Sequence, residues 1–130
     1  MNNAVMYDLF NNKLDEFFKD LMTAFPDIKE FHKCKSGLML MRNVNPKTPN
    51  EIFKNYVLSK YKAAILSKDE SVFLREKEFD VYAQDGQDTK DHWIQFIHML
   101  QRIWKTLDDK NKNIVWTYFH VLTVLSDKCV

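Results

Sequence analysis

The sequence predicts an all-α fold, a single-domain helical bundle of about five to six helices over residues 1–130, built around a buried C-terminal helix. Three observations predict it. Glycine and proline are scarce, two and three in 130 residues, which disfavours a turn-rich β architecture and favours long helices joined by short polar links. The first 25 residues repeat apolar side chains at intervals of three and four. The stretch 113–125 is apolar on nearly every side, as befits a helix at the middle of a bundle. With 45% apolar residues, including ten Phe, five Tyr and three Trp, the chain has the side-chain volume for a packed core without a metal or a disulfide.

The first helix carries Val5, Met6, Leu9, Phe10, Leu14, Phe17, Phe18, Leu21, Met22 and Phe25 on its core side, with Asp8, Lys13, Asp15, Glu16, Lys19 and Asp20 between them. Asn2 or Asn3 is placed to cap it, and Pro26 ends it by disfavouring helical geometry at Phe25. Asp27 is placed to cap a second helix with Ile28, Phe31, Cys34 or Lys35, Leu38 and Met41 in a stripe. Gly37 inside that helix costs roughly 1 kcal/mol relative to Ala, so it marks a kink or a close helix contact. The run Leu38-Met39-Leu40-Met41 widens the stripe and is a candidate interface, since methionine-rich apolar surface adapts to partners; filling a core gap is its commoner use.

Thr48-Pro49-Asn50-Glu51 predicts a helix start, with Thr48 as cap, Pro49 in the first turn and Glu51 completing a capping box. Ile52, Phe53, Tyr56, Val57, Tyr61, Ala64 and Ile65 continue it to about Leu66. Ser67-Lys68-Asp69-Glu70 offers a second box for a short helix through Leu74. Between 77 and 88 the periodicity is lost, Gly86 marks an exposed turn, and Phe79, Val81 and Tyr82 anchor the loop. Asp88 or Thr89 then caps a helix carrying Trp93, Ile94, Phe96, Ile97, Leu100, Ile103, Trp104 and Leu107, ending near Asp108-Asp109. A short polar link makes it a helical hairpin with 113–125. That last stretch is too short for the roughly 20 residues of a membrane span, and Thr117, His120 and Thr123 interrupt it.

Charge is patterned although the net is only +1. Residues 28–68 hold nine basic groups against Glu30 and Glu51, a block of +7, flanked by acidic stretches on either side. Such blocks either neutralise one another in space or present a basic patch to an acidic partner. Lys54, Lys60, Lys62 and Lys68 are the candidate phosphate contacts if that partner is a nucleic acid. Cys34 and Cys129 form no C-x-x-C pair and indicate a reducing, intracellular setting, with Cys129 on a frayed tail open to intermolecular oxidation.

Catalytic and metal-binding patterns are missing from the sequence. His32, His92, His98 and His120 have no metal-ligand spacing; His98 and His120 fall on the two hairpin helices and make a core or boundary pair. The pairs Asp15-Glu16, Asp69-Glu70 and Asp108-Asp109 are adjacent and diverge on a helix, as caps and solvated faces do. Two distant glycines, Gly37 and Gly86, build neither a phosphate loop nor a dinucleotide fingerprint.

The string Trp104-Lys105-Thr106-Leu107 through Asn113-Ile114-Val115-Trp116-Thr117-Tyr118-Phe119, closing with Val121-Leu122 and Leu125, resembles a pattern in short α-helical proteins encoded by large DNA viruses of amoebae and algae. Phe17-Phe18-Lys19-Asp20-Leu21 ahead of Phe25-Pro26, the loop Asn43-Val44-Asn45-Pro46-Lys47 and Ser67-Lys68-Asp69-Glu70 ahead of Phe73-Leu74 are similar to stretches of the same proteins. The resemblance implies an all-α viral protein acting in the host cytoplasm or nucleus, and it carries no catalytic residue and no cofactor. With no catalytic pattern in the sequence, the expected function is non-enzymatic binding of other macromolecules, a host or viral protein first, as a viral factor inside a host cell, with a nucleic-acid-binding protein using block 28–68 as the alternative. The abundance of large apolar groups adds the expectation of a homodimer sealed by the Leu38–Met41 run or by an exposed part of the C-terminal hairpin.

Overall fold

The computed structural model describes residues 3–71 and 90–129. The expected loop over 77–88, the end of the short helix at Leu74 and the cap at Asp88 or Thr89 lie outside the described residues.

Every regular element among the described residues is helical. Helix α1 spans Asn3–Ala24 and closes with the Phe25 N–H donating to the Leu21 carbonyl, one residue ahead of Pro26. Helix α2 spans Lys29–Val44. Its cap position is Ile28 in extended geometry with no side-chain cap bond, so Asp27 does not cap it. Backbone bonds set this corner instead: Ile28 N–H donates to Phe25 O at 3.2 Å and Phe31 N–H to Ile28 O at 3.3 Å, with Phe25 and Ile28 packed against the core. Gly37 is buried within an unbroken helix, which makes it a packing position and not a kink.

Helix α3 spans Thr48–Ile52, a π-helical turn spans Phe53–Leu58, and α4 spans Ser59–Ser67, together one continuous helix. Pro49 sits in the first turn as expected, but the capping box does not form. The turn before it takes over the work of a cap: Asn45 Oδ1 accepts from Lys47 N–H and Asn45 O from Thr48 N–H, both at 3.0 Å. In the π turn the Ser59 N–H reaches back to Lys54 O, and Phe53, Val57 and Leu58 all face inward. The Pro49 carbonyl accepts both the Phe53 N–H and the buried Trp93 indole N–H, the latter at 3.0 Å.

The second capping box fails for a different reason. Ser67 is the last residue of α4, and Lys68 comes next in the left-handed conformation at φ 56°, ψ 43°. Lys68 N–H donates to Ile65 O at 3.3 Å and Asp69 N–H to Ala64 O at 2.8 Å, the double closure of a Schellman motif. Asp69 then caps the next turn, its Oδ1 accepting from Ser71 N–H at 3.1 Å.

Helix α5 spans Lys90–Ile103, a 3-10 turn spans Trp104–Thr106, and α6 spans Asp109–Lys128. Asp108 caps α6 by accepting from Asn111 N–H at 2.8 Å, so the expected polar link is the first turn of the last helix. Extended backbone at Leu107 and Asp108 redirects the chain. As a result α5 packs along α2, while α1 lies along α6 and α4 against it. The expected α5–α6 hairpin is thus opened, and the two helices meet through rings: Phe96 with Phe119 at 6.4 Å and Trp104 with Trp116 at 5.4 Å.

Phe96 sits at the centre of the core, with no exposed surface and ring centroids of Phe17, Phe18, Phe31, Trp93 and Phe119 all within 6.4 Å. Trp116, Phe119 and Leu122 are 4%, 0% and 0% exposed, which makes α6 the buried C-terminal helix of the bundle. Its burial is nonetheless one-sided, because Thr117, His120 and Val124 are exposed. Cys129 is no frayed tail: it is 1% exposed, packs with Met6 and Tyr7, and its carbonyl accepts from Lys54 Nζ at 2.7 Å.

Candidate functional site

The helical period decides what α6 offers to solvent. Val115, Trp116, Phe119, Leu122, Thr123 and Ser126 point inward, while Asn113, Thr117, Val121 and Val124, spaced by four, four and three, line the outer side. Both threonine hydroxyls on this helix are satisfied locally, Thr117 Oγ1 donating to Asn113 O at 2.8 Å and Thr123 Oγ1 to Phe119 O at 2.7 Å. Thr117 therefore contributes a methyl to the surface without an unsatisfied polar group.

A groove flanks this ridge on each side, and both share Thr117 and Val121. Against α1 the groove has a volume of about 360 Å3 and is lined also by Lys13, Asp20, Asn113, Ile114 and Tyr118. The Tyr118 ring stacks on Phe17 at 4.6 Å and 4° between planes, and its hydroxyl donates to the Asp20 carboxylate. Burial first, and the Asp20 bond and charge next, push the Tyr118 phenol well above its ordinary range, so it stays a neutral donor at physiological pH. Against α4 the groove has a volume of about 290 Å3 and is lined also by Ile65, Leu66, Lys68, Trp116 and His120. Leu66, 48% exposed, forms its rim.

The sequence-predicted candidates fall into separate places. The run on α2 divides, with Leu38 and Met41 at 3% and 6% exposure inside the core and Met39 and Leu40 at 36% and 67% outside it. Of the four candidate phosphate contacts, Lys54 is tied to the Cys129 carbonyl and Lys62 to Asp127 at 2.8 Å. Lys60 and Lys68 are exposed, and Lys68 lines the α4 groove. Arg42 of the same basic block pairs with Asp15 at 2.7 Å, joining it to the acidic N-terminal helix. His32 is exposed, His98 is half-buried on α5, and His120 is exposed at the α4 groove. Among the described residues no three of His, Cys, Asp and Glu gather as metal ligands, and no helix is long and apolar enough to cross a membrane.

Two features were not foreseen from sequence. Thr117 and His120 mark the outer face of α6, and their polarity within an apolar run was the available signal. Glu70 bridges the end of α4 to the start of α6, its Oε2 accepting from the Trp104 indole N–H at 3.0 Å and from Lys112 Nζ at 3.2 Å, with Lys112 5.5 Å above the Trp104 ring. The Trp104 bond first and Lys112 second hold the Glu70 carboxyl below its ordinary value. No local sequence pattern links residues 34 and 42 positions apart.

No protein-family model, no curated protein and no solved structure matches the chain.

Proposed function

We propose that this is a non-enzymatic helical protein that binds another protein through the outer face of α6, acting as a viral factor inside a host cell. The observation that carries the proposal is the ridge of Thr117 and Val121 standing between two open grooves of about 360 and 290 Å3. A ridge between two slots accepts apolar side chains from a partner on both sides, as helical recognition surfaces do. The opposite side of α6 is locked in the core by Trp116, Phe119 and Leu122, so the face is presented rigidly and little ordering entropy is lost on binding. The polar groups in the grooves favour binding over catalysis: Tyr118 is held neutral on Asp20, and Thr117 is bonded to its own helix. The viral setting rests on the resemblance drawn from the sequence.

The nucleic-acid alternative draws less support from the geometry, because Lys54 and Lys62 are engaged with the C-terminal end of α6. A homodimer through the outer face of α2 is favoured by one observation, Leu40 and Val44 one turn apart at 67% and 89% exposure. Affinity capture from host lysate with and without nuclease tests the main proposal. A nuclease-resistant protein partner retained by the unmodified chain and lost with Val121→Asp is the expected result; loss on nuclease treatment would favour nucleic acid instead.

A further inference from the structure

We infer that the groove between α4 and α6 receives an acidic, apolar segment of the partner protein, with one large apolar side chain seated over Trp116 and Val121 and carboxylates beside it paired to Lys68 and His120. This deepens the docking face proposed above and rests on it.

Charge distinguishes this groove from the one on the other side of the ridge. The α1 groove contains a carboxylate, Asp20, together with Lys13, which is paired to Glu16 at 2.7 Å. The α4 groove is lined by Lys68 and His120 and, among the described residues, by no carboxylate. The acids nearest Lys68 in sequence are occupied elsewhere: Asp69 caps Ser71, and Glu70 holds Trp104 and Lys112. A cation at the rim of an apolar slot therefore meets no neutralising group of the slot itself, and a carboxylate on the occupant supplies one.

Size and rigidity narrow the occupant. A volume of about 290 Å3 lies at the small end of binding sites and holds one or two large side chains, not a long helix face. The Schellman closure fixes the backbone at Lys68 and Asp69, so the Lys68 side chain springs from a set point at the mouth. An aromatic or leucine anchor next to Asp or Glu matches an apolar floor with a cation at one end.

The test uses two short labelled helical peptides with the same central Phe, one flanked by Glu and the other by Lys, titrated against the full chain at low salt by fluorescence anisotropy. Exchanging attraction for repulsion at the exposed Lys68 charge predicts that the Glu peptide binds about fivefold more tightly. The double variant Lys68→Glu, His120→Glu, checked for unchanged helicity by circular dichroism, should invert the order, and Val121→Asp should weaken both peptides. Equal affinities, tighter binding of the Lys peptide, a preference that survives the charge reversal, or no binding of either peptide would overturn the assignment. If neither peptide binds while nuclease-resistant capture remains sensitive to Val121→Asp, only the acidic-segment assignment falls. Capture insensitive to Val121→Asp overturns the docking face itself.

Discussion

Replacing Lys68 by Gly should stabilise the fold, although it removes a side chain and puts the most flexible residue at the end of a helix. Lys68 holds φ 56° and ψ 43°, a conformation that costs an L-residue with a Cβ about 1–2 kcal/mol. Glycine adopts it without that cost, but raises the entropy of the unfolded chain by about 0.4–1 kcal/mol. The steric relief is the larger effect, leaving a net gain of about 0.5–1 kcal/mol. At an unfolding entropy of about 2.1 cal/mol/K per residue, a chain of 130 residues should gain roughly 2–4 °C in melting temperature. Lys68→Ala, which keeps the Cβ, should show no such gain. Urea unfolding followed by circular dichroism measures all three proteins. A Lys68→Gly protein no more stable than the original, or an equal gain from Lys68→Ala, would refute the reasoning. The variant also separates folding from recognition, because it should be more stable yet lose part of the preference for an acidic peptide.

The α2 run should split under mutation: Leu38→Ala should cost about 2–5 kcal/mol through transfer and cavity terms, whereas Met39→Lys with Leu40→Lys should stay within about 0.5 kcal/mol per site. Sedimentation of that double variant beside the unmodified chain tests the proposed homodimer: a dimer that dissociates in the variant is expected, a dimer that persists moves the seam elsewhere, and a monomeric unmodified chain removes the homodimer. Glu70 has a folded-state pKa below its ordinary value of 4.5, so its contribution is full above that value and is lost as pH falls through the depressed one. The denaturation midpoint of Glu70→Gln should consequently fall less steeply on acidification than that of the original, and parallel acid limbs would contradict this. Cys34 and Cys129 are both buried and neither is in a disulfide, and burial pushes the Cys129 thiol up against a smaller lowering by Lys54. Both should react slowly with a disulfide reagent until the protein is unfolded; labelling of Cys129 at the rate of an exposed thiol would count against its place beside Met6 and Tyr7.

Periodicity and breakers were legible because they act within a few residues. The α1 stripe apart from Val5 and Leu9, each 43% exposed, the stop at Pro26, the start at Thr48-Pro49 and the burial of Trp116, Phe119 and Leu122 all arise from such local signals. Caps were less legible, since the same side chain can be outcompeted by a neighbouring turn. Asn45 displaced Thr48, Ile28 displaced Asp27, and Lys68 took a left-handed conformation that a residue-type rule assigns to glycine. The π turn has no residue signature, and the ties Trp93 to Pro49, Lys54 to Cys129 and Trp104 to Glu70 join positions 44, 75 and 34 residues apart. Of the candidate site, Lys68 was found for its charge and Met39 and Leu40 for their apolarity. The ridge of α6 was hidden because an apolar run with three polar interruptions does not reveal which of them face out. Thr117 and His120 do, and Thr123 turns its hydroxyl into the helix.

The most direct measurement of the central claim is nuclease-treated capture from cell lysate with the unmodified chain, Val121→Asp and Leu40→Lys in parallel, each verified as folded by its thermal transition. Retention of the same protein partner by the unmodified chain and Leu40→Lys, and its loss from Val121→Asp, is the predicted result. Equal retention by all three, or loss from Leu40→Lys alone, would contradict the assignment of the docking face to α6.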